Sequence, residues 1–579
     1  MSPKFSQTSA SASSLLLPAG REFGGLDSRR GSGQLSLSEK YSLAPSPKTW
    51  GPPLDMQTSE PDDYLHNPDP RRDKVSDRGG TIVTTRGLAN LGCLFILSAG
   101  LVMLFAGYPI LSHVLTSAPS NQGGFNLGGI NTSGQIPSFG NNYGLIDRDT
   151  PKEALTKKSY LSDEELVLVF SDEFNEDGRS FFPGDDPFWE AVDFHYWVTN
   201  DLEWYDANQP TTKDGALRLT IEVVDPVNNH DLDYKSGMVQ SWNKFCFTGG
   251  LIEASVMLPG DTGSSGFWPA VWAMGNLGRA GYGGTLDGMW PYTYEACDVG
   301  TLPNQTYPGR REPVAATQNG DPTRDGVLSY LPGQRLSGCT CPGESHPGPV
   351  RKDGSYVGRA APEIDIFEAL IDDEGGKVSL STQWAPYNAE YRFLNSSNNF
   401  AIYDTAGTVL NTFKGNAYQQ TTSGLAATNQ DCYELKTRCY SVYGFEYKPG
   451  FDDSYIAWIN DGKLAWRISG AAMGPDPLTE IDTRPVPQEP MYIIANLGFS
   501  HNFGHLDLET LVFPATMSID YIRVYQPKDG INIGCDPPRF PTAKYIETYK
   551  EVYTNPNIST WEQSGQPMPK NRLANGGTC

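Results

Sequence analysis

APEIDIFEAL, residues 361–370, places the carboxylates Glu363, Asp365 and Glu368 among apolar side chains. In a regular β-strand, Glu363 and Asp365 point to one face and Glu368 points to the other, into the apolar layer. A bare carboxylate in that layer would be costly. One extra residue, a β-bulge at 366–367, returns Glu368 to the face of the other two acids. The stretch therefore predicts a bulged strand with three acids on one concave face.

Three carboxyl groups this close together cannot all ionise freely. Like charges raise one another's pKa, so one group can act as a general acid while another remains an anion. Two carboxyls about 5–5.5 Å apart are typical of a retaining glycosidase. The same spacing also fits an exposed acidic strand edge or a calcium site, and spacing alone does not decide among the three.

The composition favours a β architecture and a neutral partner. The chain has 579 residues, 61 glycines, 44 prolines and 11% aromatic residues, with few long helical patterns. Its net charge of −24 argues against nucleic acid, because phosphate binding needs a basic surface. A neutral polymer is a better match for this composition.

One uncharged segment predicts a membrane span. Residues 87–112 carry no charged side chain, and at about 1.5 Å per residue they can cross a hydrocarbon core of roughly 30 Å. Basic residues precede the segment from Arg71 to Arg86, whereas none follows it until Arg148. The positive-inside rule then predicts a single-pass type II protein with its bulk in the lumen or outside. The expected location is the secretory pathway, in the endoplasmic reticulum, Golgi or plasma membrane.

The cysteines and glycosylation sequons agree with that orientation. Cys93 lies in the span, and the other eight cysteines follow it, as expected for disulfides in an oxidising compartment. Metal binding is the alternative, but the spacing of Cys339 and Cys341 does not suit a zinc ribbon. The connectivity stays open, although Cys535 and Cys579 could clip the C-terminus back onto the domain. The N-x-S/T sequons also lie only after the span, at Asn131, Asn304, Asn395 and Asn557.

Strand signals dominate the region after the span. LIEASVML at 251–258 alternates with the two-residue period of a half-buried strand, and SYIAWINDGKLAWRI at 454–468 predicts a hairpin. Such a density of strands predicts an all-β jelly-roll sandwich. The expected order is a disordered cytosolic tail, the transmembrane helix, a luminal stem, the folded domain with a disulfide-stapled loop insertion at 277–360, and a C-terminal extension (1–86, 87–112, 113–165, 166–526 and 527–579).

Four motifs in order resemble glycoside hydrolase family 16, the laminarinase-like jelly rolls. EIDIFE resembles the bulged E-x-D-x-x-E signature of that family, and three further stretches resemble its opening, Trp-Pro-Ala and closing strands: FSDEFN (170–175), GFWPAVWAMG (266–275) and DYIRVYQ (520–526). The resemblance covers roughly 166–526. By matching positions, it implies that Glu363 is the nucleophile, that Glu368 is the acid/base and that Asp365 assists.

Aromatic residues are the expected sugar contacts, because aromatic faces stack on the C–H face of a pyranose ring. The resemblance makes Trp268 a sugar platform. Trp204, Trp290 and Trp384 are weaker candidates, each with a core position as the alternative. Asn496 could reach the cleft, and a place within a core strand is equally compatible with the sequence.

The histidines do not predict a metal centre. His501 and His505 in HNFGH have no third ligand at a suggestive spacing, and HExxH is absent. We therefore expect no cofactor and no catalytic metal, while a structural calcium stays open.

A narrower resemblance points to the fungal β-glucan-synthesis-associated proteins. The cytosolic tail, the single span, NDLEWYD (200–206), DGMWPYTYEACDVGTLPNQT (287–306) and the long C-terminus carry it. It implies a role in making cell-wall β-1,6-glucan, together with other wall-synthesis machinery. The insertion at 277–360 departs from secreted laminarinases, so their substrate preference does not transfer. The first hypothesis is a membrane-anchored retaining hydrolase or transglycosylase acting on β-glucan; the alternative is a non-catalytic glucan-binding or synthase-scaffolding protein.

Overall fold

The computed structural model describes two units that are treated separately. The first unit is Met1–Ile110 and the second is Leu111–Cys579. The described residues are 71, 74, 85–108, 110, 144–574 and 576–579. The predicted disordered tail and the first part of the predicted stem therefore lie almost wholly outside the described residues.

The first unit contains a long apolar helix, α1 (Thr85–Val102), continued by a π-helical turn at Met103–Gly107. Its twenty residues from Leu88 to Gly107 are long and apolar enough to cross a membrane, and none of them is buried within the protein. Cys93 lies on this helix as an exposed free thiol. A helix of this length and composition is one that a lipid bilayer can accommodate.

The second unit is an all-β sandwich, as the sequence predicts. One sheet has thirteen strands among the described residues: β1 (Thr156–Lys158), β2 (Glu165–Asp172), β4 (Phe194–His195), β5 (Glu203–Tyr205), β6 (Pro210–Lys213), β7 (Ala216–Val223), β8 (Tyr234–Ser236), β10 (Gly250–Met257), β14 (Phe400–Ile402), β18 (Ser441–Lys448), β19 (Tyr455–Asn460), β20 (Lys463–Ser469) and β22 (Ala515–Pro527). Its main path runs β14-β20-β19-β18-β10-β22-β7-β8-β5-β4, and β2 also pairs with β22. The predicted hairpin is β19–β20.

The opposing sheet carries the acidic stretch. Its nine strands among the described residues are β3 (Glu190–Ala191), β9 (Met238–Gln240), β11 (Phe267–Gly275), β12 (Glu363–Asp372), β13 (Gly375–Trp384), β15 (Thr408–Leu410), β16 (Gly415–Asn416), β17 (Gln419–Ala427) and β21 (Met491–Phe499). The path is β15-β17-β13-β12-β11-β21-β9-β3, which places β12 near its middle. A large apolar core formed by both sheets lies between them, and it is the jelly-roll core expected from the alternating strands.

The folded unit begins earlier than predicted. Part of the expected stem, residues 144–165, packs onto the sandwich: β1 pairs with β2, and Leu145 is buried in the core. Ser159 also donates a hydrogen bond to buried Glu446 at 2.7 Å. The stem prediction is wrong for these residues because their few apolar side chains find partners far away in sequence.

The insertion and the C-terminal extension contain mostly turns and short helices. The helices are α2 (Gly283–Leu286) in the insertion, and α3 (Ala543–Thr548) and α4 (Lys550–Thr554) in the extension. The prediction that the eight cysteines after the span form disulfides is confirmed, with the pairs Cys246–Cys535, Cys297–Cys339, Cys341–Cys579 and Cys432–Cys439. Two of these bonds hold the extension against the domain.

Three of the four predicted glycosylation sequons lie at the surface. Asn304, Asn395 and Asn557 are exposed, whereas Asn131 lies outside the described residues. Exposure is the condition that a glycosylation acceptor must meet.

The disulfides should differ in their contribution to stability. Replacing both Cys246 and Cys535 by serine should lower the free energy of unfolding by about 4–5 kcal/mol, because the bond closes a separation of 289 residues. The matched pair Cys432 and Cys439 closes a separation of 7 residues and should cost about half as much. Denaturant unfolding of both double variants measures the difference. An equal or larger loss for the short loop would contradict this expectation.

Candidate active site

The predicted bulge in β12 is confirmed. On β13, Asp365 is opposite Ser381 and Glu368 is opposite Ser379, so two residues of β12 lie where β13 has one. The register against β11 shifts at the same place. Both residues of the bulge, 366–367, are buried in the sandwich core. The extra residue thus lets β12 bury its apolar side chains and still present Glu368 beside the other acids. We call this side of the nine-stranded sheet, opposite the core, the acid face.

Two tryptophan N–H groups point at the outer two carboxyls. Trp290 Nε1 donates to Glu363 Oε2 at 2.6 Å. Trp268 Nε1 donates to Glu368 Oε1 at 3.1 Å. All four side chains are half-buried, so the carboxyls are oriented by neutral donors and still reach solvent. Donors without charge orient a carboxyl group without fixing it in the ionised state.

The middle acid is fully enclosed by polar partners. Asp365 Oδ2 accepts from Ser381 Oγ at 2.7 Å and from Gln383 Nε2 at 2.9 Å. Thr421 Oγ1 donates to Gln383 Oε1 at 2.6 Å, which fixes the orientation of that amide. Ser381 Oγ also lies 3.3 Å from Glu368 Oε2. This serine therefore links the middle acid to the third one.

Burial raises the pKa values of all three carboxyls, and repulsion from neighbouring acids raises those of Glu363 and Glu368 further. Burial and then the charges of the other two acids raise the pKa of Glu363 well above its usual range. Burial raises the pKa of Asp365 to about 6, opposed by its hydrogen bonds from Ser381 and Gln383. Burial and then the charge of Asp365 raise the pKa of Glu368 to about 8. At neutral pH the cluster therefore holds protons, and Glu368 is protonated as a general acid requires.

Trp268 and Trp290, two of the predicted sugar contacts, therefore lie beside the acids. Phe503 stacks on one ring face of Trp268, with 4.2 Å between ring centroids and 4° between the planes. The hydrogen bonds of Asn496 go to neighbouring aromatic residues: it accepts from Trp272 Nε1 at 2.8 Å and donates to Tyr205 at 3.0 Å. Trp272 is the strand partner of Asp365, which places the asparagine on the acid face.

Trp384 is a correction to the predicted sugar contacts. Its side chain is fully buried in the sandwich core, where Nε1 donates to Thr422 Oγ1. Gln383 faces the acids, and strand alternation sends the next residue to the opposite side. A side chain with no exposed surface cannot stack on a sugar.

Trp204 lies away from the acids. It stacks on His230 with 3.6 Å between ring centroids and donates to Asp193 at 2.7 Å. Among the described residues, no hydrogen bond or ring contact joins Trp204 to the three carboxyls.

Sequence reasoning missed the polar partners on β13. Ser381 and Gln383 became visible only when that strand was paired with β12. The two-residue turn between Asp372 and Gly375 could have revealed them. It fixes the register of the β12–β13 hairpin, and with the bulge included that register places Ser381 and Gln383 beside the acids.

The histidines of HNFGH form no metal centre in the part of the chain that the structure describes. His501 and His505 are exposed, and no group of three or more His, Cys, Asp or Glu side chains there is arranged to hold a metal ion.

The sequence profile of the family described as β-glucan synthesis-associated protein SKN1/KRE6/Sbg1 matches residues 53–579, most of the chain. The chain belongs to this family. It is 41% identical to β-glucan synthesis-associated protein SKN1 of Candida albicans over 532 residues, which is 90% of this chain and 67% of that protein. It is 39% identical to β-glucan synthesis-associated protein KRE6 of Saccharomyces cerevisiae over 541 residues, which is 91% of this chain and 70% of that protein. The narrower resemblance found in the sequence is thereby confirmed.

Among solved structures, the chain is similar to the catalytic domain of an endo-1,3-β-glucanase (laminarinase) from Thermotoga petrophila RKU-1. The identity is 20% and the TM-score is 0.36, over 63% of this chain and 99% of that one. The endo-β-1,3-glucanase of Pyrococcus furiosus is similar at 17% identity and a TM-score of 0.36, over 64% of this chain and 98% of that one.

The raised pKa of Glu368 makes a testable prediction about stability. Because the folded-state pKa lies above the unfolded value of about 4.3, the ionised form costs stability as the pH rises from that value through about 8. Glu368→Gln removes this cost and keeps the shape. We expect the variant to gain about 2 kcal/mol in free energy of unfolding at pH 8, discounted for its partial exposure, and no gain at pH 4.

Urea unfolding at the two pH values measures this gain. Asp373→Asn is the matched control, because this acid is exposed in the turn of the same hairpin and should change stability little at either pH. An equal gain for Glu368→Gln at both pH values would show that packing, and not the carboxyl's ionisation, is responsible.

Proposed function

We propose that the protein is a membrane-anchored, retaining β-glucan hydrolase or transglycosylase that acts in cell-wall β-1,6-glucan biosynthesis. The observation that carries the proposal is the bulge of β12, which places Glu363, Asp365 and Glu368 together on the acid face. A partly buried cluster of carboxyls with raised pKa values is suited to paired nucleophilic and acid/base roles. Family membership supplies the substrate class, because the relatives are named for β-glucan synthesis.

In the first step, a Glu363 oxygen attacks the anomeric carbon of the glucan. The bond from that carbon to the leaving sugar oxygen breaks, and Glu368 donates its proton to that oxygen. A covalent glycosyl ester on Glu363 results. In the second step, ionised Glu368 takes the proton of an acceptor hydroxyl, whose oxygen displaces Glu363 and restores both carboxyls. Two inversions at the same carbon give net retention.

Asp365 would set the charge state of the nucleophile. The charge of Asp365 helps to raise the pKa of Glu363, so a proton held within this pair lies on Glu363 at rest and leaves one negative charge to share. When the proton lies on Asp365, Glu363 is the anion that attacks, and the Trp290 N–H stabilises it. Ser381 and Gln383 hold Asp365 in place for this exchange.

The acceptor decides between hydrolysis and transfer. A covalent intermediate can be intercepted by a sugar hydroxyl as well as by water. Transfer suits a family associated with synthesis, because hydrolysis alone would only shorten a polymer. We therefore favour transfer to a second glucan chain, with Trp268 beside Glu368 as a sugar contact.

The topology proposal rests on three sequence features. The apolar helix α1 follows a basic segment, and the disulfides and exposed sequons all follow the helix. A type II orientation places the sandwich in the lumen or outside, where disulfides persist. The glucan site would then face the compartment in which wall polymer is handled.

A non-catalytic, glucan-binding or synthase-scaffolding role is the second candidate. Apolar side chains of the insertion and the extension share a buried cluster with part of the acid face, which would suit a docking or holding protein. A catalytic role requires the carboxyls for turnover, whereas a binding or scaffolding role requires them only to maintain the shape of the site.

Replacing each glutamate by alanine and adding azide as an external nucleophile tests the catalytic roles. Glu363→Ala should lose glucan turnover by about a thousandfold or more, and azide should restore cleavage with formation of an α-glycosyl azide, because a single displacement inverts the anomeric carbon. Glu368→Ala, given an aryl β-oligoglucoside whose phenolate leaves without a proton, should instead give a β-glycosyl azide, since azide then attacks the intermediate formed on Glu363.

Proton NMR of the products, with β-1,3- and β-1,6-linked oligoglucosides as substrates, distinguishes the two azides. Asp373→Asn serves as the control and should keep full turnover. If the unchanged protein binds these sugars and neither cleaves nor transfers them, the scaffold role replaces this proposal.

A further inference from the structure

Asn496 and Glu368 share one row of the acid face. Ala270 on β11 pairs with Asn496 on one side and with Glu368 on the other, so the two side chains point the same way. Two strand spacings separate them, about 10 Å between Cα atoms. Both side chains are half-buried and reach solvent, and the residue between them carries only a methyl group. A sugar bound beside Glu368 therefore lies within reach of the Asn496 amide.

The Asn496 amide has a donor to spare within the described chain. Trp272 Nε1 can only donate, so the atom that it meets at 2.8 Å is the amide oxygen of Asn496. The amide nitrogen then faces Tyr205, whose hydroxyl accepts one of its two N–H groups at 3.0 Å. Among the described residues, no hydrogen bond uses the second N–H of this amide. A half-exposed amide with a spare donor is suited to binding a sugar hydroxyl.

The Tyr205 hydroxyl can accept from Asn496 because its own proton is directed elsewhere. It donates to Asp201 Oδ2 over a long bond of 3.4 Å, and Asp201 in turn accepts from Thr199 Oγ1 at 2.6 Å. Burial, and then the charges of Glu203 and Asp201, raise the pKa of Tyr205 well above its usual range, so the hydroxyl keeps its proton. The direction of each hydrogen bond at this tyrosine is thus determined.

Close packing holds the Tyr205 side chain in this position. The ring is buried, and Phe194 and Tyr196 both meet it edge to face, with ring centroids 6.4 Å apart in each pair. Gly498 leaves the space in which the two polar groups meet, because a Cβ there would lie 3.3 Å from Tyr205 Oη and 3.5 Å from Asn496 Nδ2. The tyrosine, and the amide bonded to it, are therefore oriented before a sugar binds.

We propose that Tyr205 is a positioning residue that orients the second N–H of Asn496 toward one hydroxyl of the glucan unit bound beside Glu368. This inference rests on the proposed glucan site and adds a means by which that site selects its substrate. Without the phenol hydroxyl, the amide keeps only its bond from Trp272 and can turn. A donor that is already oriented loses less freedom on binding than one that must first be ordered. The network therefore makes the site selective for one hydroxyl.

The test measures hydroxyl recognition with a double-mutant cycle between protein and ligand. The full chain with Glu363→Gln, in detergent, is titrated with β-1,3- and β-1,6-linked oligoglucosides. Each ligand is used unmodified or in a form that lacks the same hydroxyl on every sugar, so that the sugar beside Glu368 always lacks it. The ratio of the two dissociation constants measures how strongly the protein selects for that hydroxyl.

For one hydroxyl, we expect this ratio to fall by about fivefold when Tyr205→Phe is added, and by as much or more with Asn496→Ala. The ratios for the other hydroxyls should change by less than about twofold, because a positioning role concerns a single hydrogen bond. Tyr447→Phe is the matched control, since this tyrosine is also buried but lies in the sandwich core. It should leave every ratio unchanged.

A selective fall with Asn496→Ala but not with Tyr205→Phe would show that the amide binds the sugar without this tyrosine, and would overturn the proposal. Unchanged ratios in both variants, equal changes for all hydroxyls, or the same change with Tyr447→Phe would also overturn it. In these cases the glucan site stands, because the unmodified ligand still binds. Absence of binding by every oligoglucoside would overturn this proposal and the proposed function together.

Discussion

One inserted residue in β12 is the constraint on which the site depends. Without the bulge at 366–367, strand alternation would send Glu368 into the core, where a carboxyl has no compensating partner. With it, two apolar side chains stay in the core and three acids share one face. The cost of gathering them is visible in their raised pKa values, which arise from burial and, for Glu363 and Glu368, also from repulsion by neighbouring acids. The bulge that interrupts the regular strand is thus also what brings the three acids together.

The surroundings of the acids show how a common sandwich is adapted. Polar side chains of β13 orient Asp365, and tryptophans from β11 and from the insertion orient Glu368 and Glu363. The insertion also packs, with the disulfide-held extension, against apolar side chains of β11 and β21 on the acid face, such as Met274 and Tyr492. Long-range covalent links thus shape a site whose reactive groups come from only six consecutive residues.

Local features of the fold and site could be predicted from the sequence because they follow from short-range rules. Alternation gave the strands, the mismatch at Glu368 gave the bulge, and the even cysteine count gave the disulfides. The failures concern distant partners. Trp384 lies in the core because the preceding residue, Gln383, faces the acids and successive residues of a strand face opposite sides. Residues 144–165 belong to the sandwich because they pack on residues far away in sequence. The cysteines indicated that the extension folds back onto the domain, but no local pattern identified the insertion as its partner.

Family membership connects the chain to β-glucan synthesis, and the acid cluster offers the chemistry by which it would act on such a polymer. The central claim is that Glu363 forms a covalent bond to a sugar. The most direct test treats the protein with a 2-deoxy-2-fluoro glucoside that carries a good leaving group, followed by peptide mass mapping. We expect the mass of one fluorosugar on Glu363 and none after Glu363→Gln. A label on Glu368, or labelling that persists in that variant, would contradict it.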